Sequence, residues 1–152
     1  MRLTAHYWKM NSNFVFEYEF SRGDDFGWLK AKVETPHFGG RNGMWVQWQD
    51  LGNFAASLSA YPITPVSPKL CRWGFGKDGK YTEITKLAIA PKGVTGGLLA
   101  DVSLANWDEP DNRCSTRFET HYPSLAAFRE EIERMLHNRT GSATLYGSAD
   151  VH

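Results

Sequence analysis

Residues 14–33 alternate between apolar and charged side chains on both sides of a turn, and this pattern is typical of an antiparallel β-hairpin. One register places apolar side chains opposite each other on one face and opposite charges on the other. Its pairs are Phe20–Leu29, Tyr18–Ala31 and Phe16–Val33, with Glu19–Lys30 and Glu17–Lys32 on the second face. Because cross-strand pairs stabilise a sheet, the agreement of both faces predicts a protein built on antiparallel strands.

Short runs rich in β-branched and aromatic residues recur along the chain, separated by turn residues such as Asp78-Gly79. They predict strands at about 3–9, 14–20, 28–34, 44–48, 69–75, 82–89, 97–104 and 113–120. The last two runs also form a consistent hairpin. Its predicted pairs are Leu104–Cys114, Val102–Thr116 and Ala100–Phe118, with Asp101 opposite Arg117 on the other face.

Two segments have apolar residues at helical spacing. The first is predicted to start near Asp50 and the second near Ser124, since both residue types are favoured at helix N-caps. Pro62 follows the first segment, and residues 138–141 end the second. The apolar positions are Leu51, Phe54 and Leu58 in the first segment, and Leu125, Phe128, Ile132 and Met135 or Leu136 in the second.

These elements predict an α+β fold: a large, mostly antiparallel, curved sheet of about seven or eight strands, with two amphipathic helices packed on one face. The order of strands followed by a helix occurs twice, which is compatible with an internal duplication or with independent helices of similar pattern. Residues 1–140 are predicted to form one domain. Residues 141–152 are small and polar, and they are predicted to be a flexible tail.

Charge and cysteine usage restrict the class of partner and the compartment. The chain has 17 basic and 17 acidic residues, so it lacks the positive field that nucleic acid or an anionic membrane attracts. It has no signal-peptide pattern at its start and no apolar run long enough to span a bilayer. Its two cysteines, Cys71 and Cys114, are not in CxxC spacing. We therefore expect a cytoplasmic protein that binds neither nucleic acid nor a membrane.

Residues 74–80, Gly-Phe-Gly-Lys-Asp-Gly-Lys, match two phosphate-binding patterns, GxGxxG and GxxxxGK. Both patterns bind phosphate only where the glycines lead into a helix N-terminus. Here the following residues, Tyr81 to Thr85, are typical of a strand. The segment is therefore predicted to be a hairpin turn.

No residue cluster predicts catalysis, a metal site or a cofactor. Glu17 and Glu19 share one strand face, but the predicted hairpin places lysines opposite them on an outer surface. The histidines lack the spacing of a zinc site, and no catalytic signature is present. An alternative is a small-molecule-binding or enzymatic domain with a pocket between sheet and helices, for which Thr116, Thr120 and His121 are the polar candidates.

Six tryptophans are the remaining unusual feature. Strand alternation places Met44, Val46 and Trp48 on the inner face, which leaves Trp45 on the outer face. Exposed tryptophan is enriched at binding hot spots. The predicted partner-binding residues are Trp28, Trp45 and Trp107, with the acidic loop residues Asp108 and Glu109. Two alternatives are a second core layer and a structural homodimer that buries these rings.

Several segments together resemble a known group of proteins. They are residues 24–33, the strand Met44-Trp45-Val46-Gln47-Trp48, the LxxFxxxL helix 51–58 and the helix that begins Pro123-Ser124-Leu125. With the strand-rich middle, this order resembles the small bacterial immunity proteins of polymorphic toxin systems, WapI-type immunity proteins among them. The resemblance covers about residues 14–137. It implies a cytoplasmic, non-enzymatic protein that binds and blocks a toxin domain, without catalytic residues or cofactors.

Overall fold

The computed structural model describes residues 10–94 and 96–150, and within them the chain has an α+β fold, as predicted. The predicted strand 3–9 lies outside the described residues. Eight strands and two helices follow one another in the described part. They are β1 (Ser12–Phe20), β2 (Phe26–Glu34), β3 (Gly39–Gln47), α1 (Trp48–Ser57), β4 (Lys69–Lys77), β5 (Lys80–Lys92), β6 (Gly97–Ala105), β7 (Arg113–Thr120), α2 (Tyr122–Asn138) and β8 (Ser142–Gly147).

The strands divide into two four-stranded antiparallel sheets rather than one large sheet. The first sheet has the order β3-β2-β1-β8 and the second has the order β4-β5-β6-β7. Each sheet contains a run of consecutive strands that is followed by a helix, so the predicted repetition of strands-then-helix is present in the element order. The two sheets are separate because the chain enters α1 directly after β3 and does not form a further strand beside β3.

The first hairpin forms with the predicted faces but in a different register. Phe16 pairs with Ala31 and Tyr18 with Leu29, so the partners are shifted by two residues from the prediction. Glu17 therefore lies opposite Lys30, and Glu19 lies opposite Trp28. The turn is tighter than expected, because the Phe26 N–H donates to Asp24 Oδ1 at 2.9 Å and strand pairing begins earlier. A shift by two keeps every side chain on its face.

The second predicted hairpin is confirmed in its register. β6 and β7 pair Leu104 with Cys114, Val102 with Thr116 and Ala100 with Phe118. The turn at Asp78 and Gly79 is also confirmed, since both residues have positive φ, as the two central positions of a type I′ turn require. The next element is strand β5 and not a helix, so the two glycine-rich patterns do not form a phosphate-binding loop.

One hydrophobic core contains residues from both sheets and both helices. Phe16 of β1 stacks on Phe128 of α2 with ring centroids 5.8 Å apart, and it lies 6.0 Å from Trp73 of β4. Trp73 in turn contacts Phe54 of α1. The predicted apolar positions of both helices are buried, so the helical spacing identified the core faces correctly.

Both helices begin two residues before the predicted starts. Gln47 and His121 occupy the N-cap positions, and neither makes a side-chain capping bond, so the predicted caps Asp50 and Ser124 are wrong. Met44 and Val46 are buried as predicted, but Trp48 is 42 % exposed, so its predicted inner position is wrong. The reason is that Trp48 is the first residue of α1, where the strand alternation has ended.

The prediction of a flexible tail is wrong for Ser142–Gly147, which form β8 and pair with β1 along the edge of the first sheet. Ala143 and Leu145 are fully buried. Beyond β8, Ser148 exchanges two backbone hydrogen bonds with Glu119 of β7. The segment therefore completes the first sheet and joins it to the second.

Candidate functional site

The three tryptophans predicted to bind a partner lie next to one another. The ring centroids of Trp28 and Trp45 are 5.1 Å apart, and those of Trp28 and Trp107 are 6.5 Å apart. Phe75, which local sequence patterns do not single out, extends the series at 4.9 Å from Trp107. All contacts are edge-to-face, an arrangement that aromatic pairs favour. We call Trp45, Trp28, Trp107 and Phe75 the tryptophan row.

Elements from both sheets position the row. Trp28 and Trp45 are direct partners across β2 and β3 on the outer face of the first sheet. Trp107 lies in the loop after β6, and Asn106 shapes that loop, since its Oδ1 accepts hydrogen bonds from the N–H groups of Asp108 and Glu109. The two acidic residues of the prediction are therefore held beside Trp107, and both are exposed.

Gly43 of β3 provides the space that Trp28 occupies. A Cβ atom at this position would lie 2.5 Å from Trp28 Nε1 and 2.6 Å from two further indole atoms. The Trp28 indole therefore lies directly against the backbone of β3. The same indole contacts Trp107. A glycine inside a strand often marks such a close approach.

We expect Gly43→Ala to displace the Trp28 indole and to separate it from Trp45 and Trp107. The added methyl group should cost about 1–3 kcal/mol in unfolding free energy, as overpacking usually does. Near-UV circular dichroism should show a smaller tryptophan signal. Gly39→Ala is the control on the same strand, because its Cβ would meet nothing closer than 3.5 Å. Identical spectra for Gly43→Ala and the wild type would contradict the assigned role of Gly43.

The row passes from the core to the surface. Trp107 and Phe75 are partly buried against the hydrophobic core, Trp28 is half-buried, and Trp45 is 50 % exposed. The inner end of the row therefore packs as core, and the outer end presents an indole to solvent. Partner binding by the outer end stays a prediction.

An open groove of about 370 Å³ adjoins the outer end of the row. One wall is β3 and the other is formed by β4 and Tyr81 of β5. Its exposed aromatic residues, Phe26, Trp45 and Tyr81, were only partly predicted, since Phe26 and Tyr81 lie at strand ends where alternation gives no clear face. The lining residues are Phe26, Met44, Trp45, Val46, Gln47, Asp50, Arg72, Trp73, Gly74 and Tyr81.

Three exposed carboxylates lie close enough to Tyr18 to affect the pKa of its hydroxyl. Asp24, Asp25 and Asp50 all act on buried Tyr18, whose pKa rises to about 12, mainly because of burial and further because of these negative charges. None of these three carboxylates, nor Asp108 or Glu109, forms a salt bridge with another described residue. Of these carboxylates, Asp50 also lines the groove.

The other candidate residues of the sequence lie in different parts of the structure. Glu17 and Glu19 are exposed on the outer face, as predicted. Thr120 Oγ1 donates to the Tyr146 carbonyl oxygen, Thr116 bonds to Thr35, and His121 is exposed, so these three do not converge on a pocket between sheet and helices. In residues 10–94 and 96–150, no group of three or more His, Cys, Asp or Glu side chains is placed to hold a metal ion.

The two cysteines are free thiols, one buried and one partly buried. Cys71 is buried, and burial raises the pKa of its thiol to about 12. Cys114 is partly buried and packs against Gly40. Burial raises the pKa of its thiol as well. Since the thiolate is the nucleophile, neither residue has the environment of a catalytic cysteine.

Comparisons with known proteins assign no family to the chain: no protein-family model, no curated protein and no solved structure matches it. Neither helix of the described part is long and apolar enough to cross a membrane. The candidate site is therefore defined by its geometry, an aromatic row that ends beside an open groove.

Proposed function

We propose that the chain is a non-catalytic protein-binding domain that contacts its partner through the outer end of the tryptophan row and the acidic loop residues Asp108 and Glu109. The observation that carries the proposal is the half-exposed Trp45, which packs against Trp28, and Trp28 in turn packs against Trp107. Rigid, partly buried aromatic side chains of this kind bind with a small loss of conformational freedom.

The sequence resemblance suggests the class of partner. Immunity proteins of polymorphic toxin systems bind and block a toxin domain, and we propose the same role here, in the cytoplasm. Two free thiols, one of them fully enclosed, are consistent with a reducing compartment. Asp50 in the groove, and Asp108 and Glu109 beside Trp107, form no salt bridge with another described residue. These carboxylates favour a basic surface on the partner, because complementary charge increases the rate and specificity of association.

The proposal is tested by the double variant Trp45→Ala/Trp107→Ala in affinity capture from the native cell. Loss of a central tryptophan contact costs about 2 kcal/mol or more, which is about 30-fold in Kd. We therefore expect recovery of the partner to fall strongly. Because Trp107 also packs against the core, Trp45→Ala alone is measured in parallel, and circular dichroism verifies that both variants are folded.

Phe38→Ala is the matched control, since Phe38 is 64 % exposed and lies at the opposite end of the β2–β3 hairpin. It should capture the partner as the wild type does. Unchanged recovery with the double variant would exclude the tryptophan row as the contact surface. Native mass spectrometry distinguishes the alternative, a homodimer, because a self-interface would yield dimers that Trp45→Ala converts to monomers.

A further inference from the structure

Strand β3 is the last strand of its sheet, and its open edge forms one wall of the groove. β2 pairs with it on one side only. Consecutive residues from Met44 to Gln47 all line the groove, although their side chains point alternately to opposite faces of the sheet. Residues of both faces can share one groove because it runs along the edge of the strand.

The hydrogen-bonding groups of this edge can be assigned from the bonds on the other side. The Trp48 N–H donates to the Asp25 carbonyl oxygen, and the Val46 carbonyl oxygen accepts from the Tyr18 hydroxyl, which lies over Gly27 of β2. Backbone groups of successive residues in a strand point to opposite sides. The N–H and C=O of Trp45 and the N–H of Gln47 therefore point away from β2, towards the groove.

These edge groups are not paired with another strand of the described residues. The edge also lacks the usual protection, since the segment Met-Trp-Val-Gln has no charge, no proline and no bulge. Nearer the start of β3, the side chain of Asn42 donates hydrogen bonds to residues of β5 and β6. The open edge is thus short and apolar, and it begins where contact between the two sheets ends.

The charge of the groove selects the chemistry of an occupant. Arg72 is the only cation in the lining, and its Nε lies 2.7 Å from Glu83 Oε1. Glu83 is shared with Arg113, whose Nη1 lies 3.9 Å from Glu83 Oε2. Asp50 is the carboxylate of the lining and forms no salt bridge with another described residue, and the exposed rings of Trp45 and Tyr81 belong to the same lining. A cation next to a carboxylate and over an aromatic face gains both ionic and cation–π stabilisation.

We propose that the groove binds an extended segment of the protein partner that carries lysine or arginine at alternate positions, and that this segment adds as a strand to β3. Its main chain would bond to Trp45 and to the Gln47 N–H, and its cationic side chains would lie over Trp45 and Tyr81, facing Asp50. Strand addition of this kind gives affinity through the main chain and specificity through alternate side chains. The inference rests on the proposed function and specifies the chemistry of the partner.

Gln47→Pro tests the main-chain bond directly. Gln47 has φ −71°, which proline adopts without strain, and its N–H takes no part in pairing with β2. The variant should therefore fold normally while losing one donor at the open edge. Gln47→Ala, which lacks the same side chain but keeps the N–H, is the reference. Urea unfolding of both variants verifies that they are equally stable or that the proline form is more stable.

The probe is a blocked heptapeptide of alternating lysine and valine, titrated against the full chain by tryptophan fluorescence and calorimetry. We expect Gln47→Pro to bind it about tenfold more weakly than Gln47→Ala, as expected for one lost hydrogen bond. Asp50→Asn should also weaken binding several-fold. The matched glutamate–valine peptide should bind more weakly than the lysine peptide, and the difference should decrease with added salt.

Three results would overturn the inference. They are equal affinity of the lysine peptide for Gln47→Pro and Gln47→Ala, equal affinity of the wild type for the lysine and glutamate peptides, and no binding of the lysine peptide at about 1 mM, the weak end of specific association. If partner capture still depends on Trp45 in any of these cases, the proposed function stands and only strand addition is excluded. Phe38→Ala should bind the peptide as the wild type does.

Discussion

Removal of residues 141–152 is expected to prevent the chain from folding. The deletion removes β8, which pairs with β1 from Ser12 to Glu17, and with it the fully buried side chains of Ala143 and Leu145. It also removes a surface against which α2 packs and the two backbone bonds between Ser148 and Glu119. A Leu→Ala change in a core alone costs about 2–5 kcal/mol, whereas a whole domain has about 5–15 kcal/mol of stability.

The truncated chain should show no cooperative transition in urea or thermal unfolding, monitored by circular dichroism. Two point variants compare a buried with an exposed side chain of β8. Leu145→Ala should lower the free energy of unfolding by about 2–5 kcal/mol, and Tyr146→Ala, whose side chain is 44 % exposed, should lower it much less. A truncated chain that unfolds cooperatively near the wild-type midpoint would show that β8 contributes little to the fold.

The sequence did not indicate β8 because its buried residues are small. In the segment Ser-Ala-Thr-Leu-Tyr-Gly, Leu145 is the only large side chain on the inner face. Gly147 must be small for a steric reason, since a Cβ there would lie 2.1 Å from the Glu119 carbonyl oxygen. Small residues are typical both of mobile tails and of closely packed strands, and only the tertiary partner distinguishes these two cases.

The first hairpin illustrates a second limit of sequence reasoning. Its faces were predicted correctly, and Phe14, Phe16, Leu29 and Val33 are all fully buried. Its register was not, because alternation has a period of two and any even shift satisfies it equally. The turn selects one of these registers, and in this turn the Phe26 N–H donates a hydrogen bond to Asp24 Oδ1.

The candidate site was predicted in composition but not in geometry. Strand parity assigned Trp45 to the outer face, and the composition of the loop placed Trp107 beside Asp108. The contact between Trp28 and Trp107 depends on how the two sheets meet, which local patterns do not encode. For the same reason, local patterns predicted neither the role of Phe75 nor the groove between β3 and β4.

Asn42→Asp is expected to be among the most destabilising single substitutions in the chain, because Asn42 joins the two sheets. Its side-chain nitrogen lies 3.1 Å from the Ile84 carbonyl oxygen, 3.0 Å from the Ala105 carbonyl oxygen and 3.0 Å from Thr85 Oγ1. An ionised aspartate has the same shape but donates no hydrogen bond. It would place a negative charge against two carbonyl oxygens that have lost their donor, at a cost of about 3 kcal/mol or more.

The pH dependence of this loss identifies its cause. Burial beside carbonyl oxygens raises the pKa of the introduced carboxyl in the folded state above its unfolded value of about 3.9. The folded state then binds more protons, so the deficit is full at pH 7 and decreases as the pH falls towards about 4. Urea unfolding at both pH values measures this deficit in unfolding free energy.

Asn53→Asp, on the exposed face of α1, is the matched control and should change stability by about 0.5 kcal/mol or less. A deficit of that small size for Asn42→Asp at pH 7 would mean that Asn42 does not hold the sheets together.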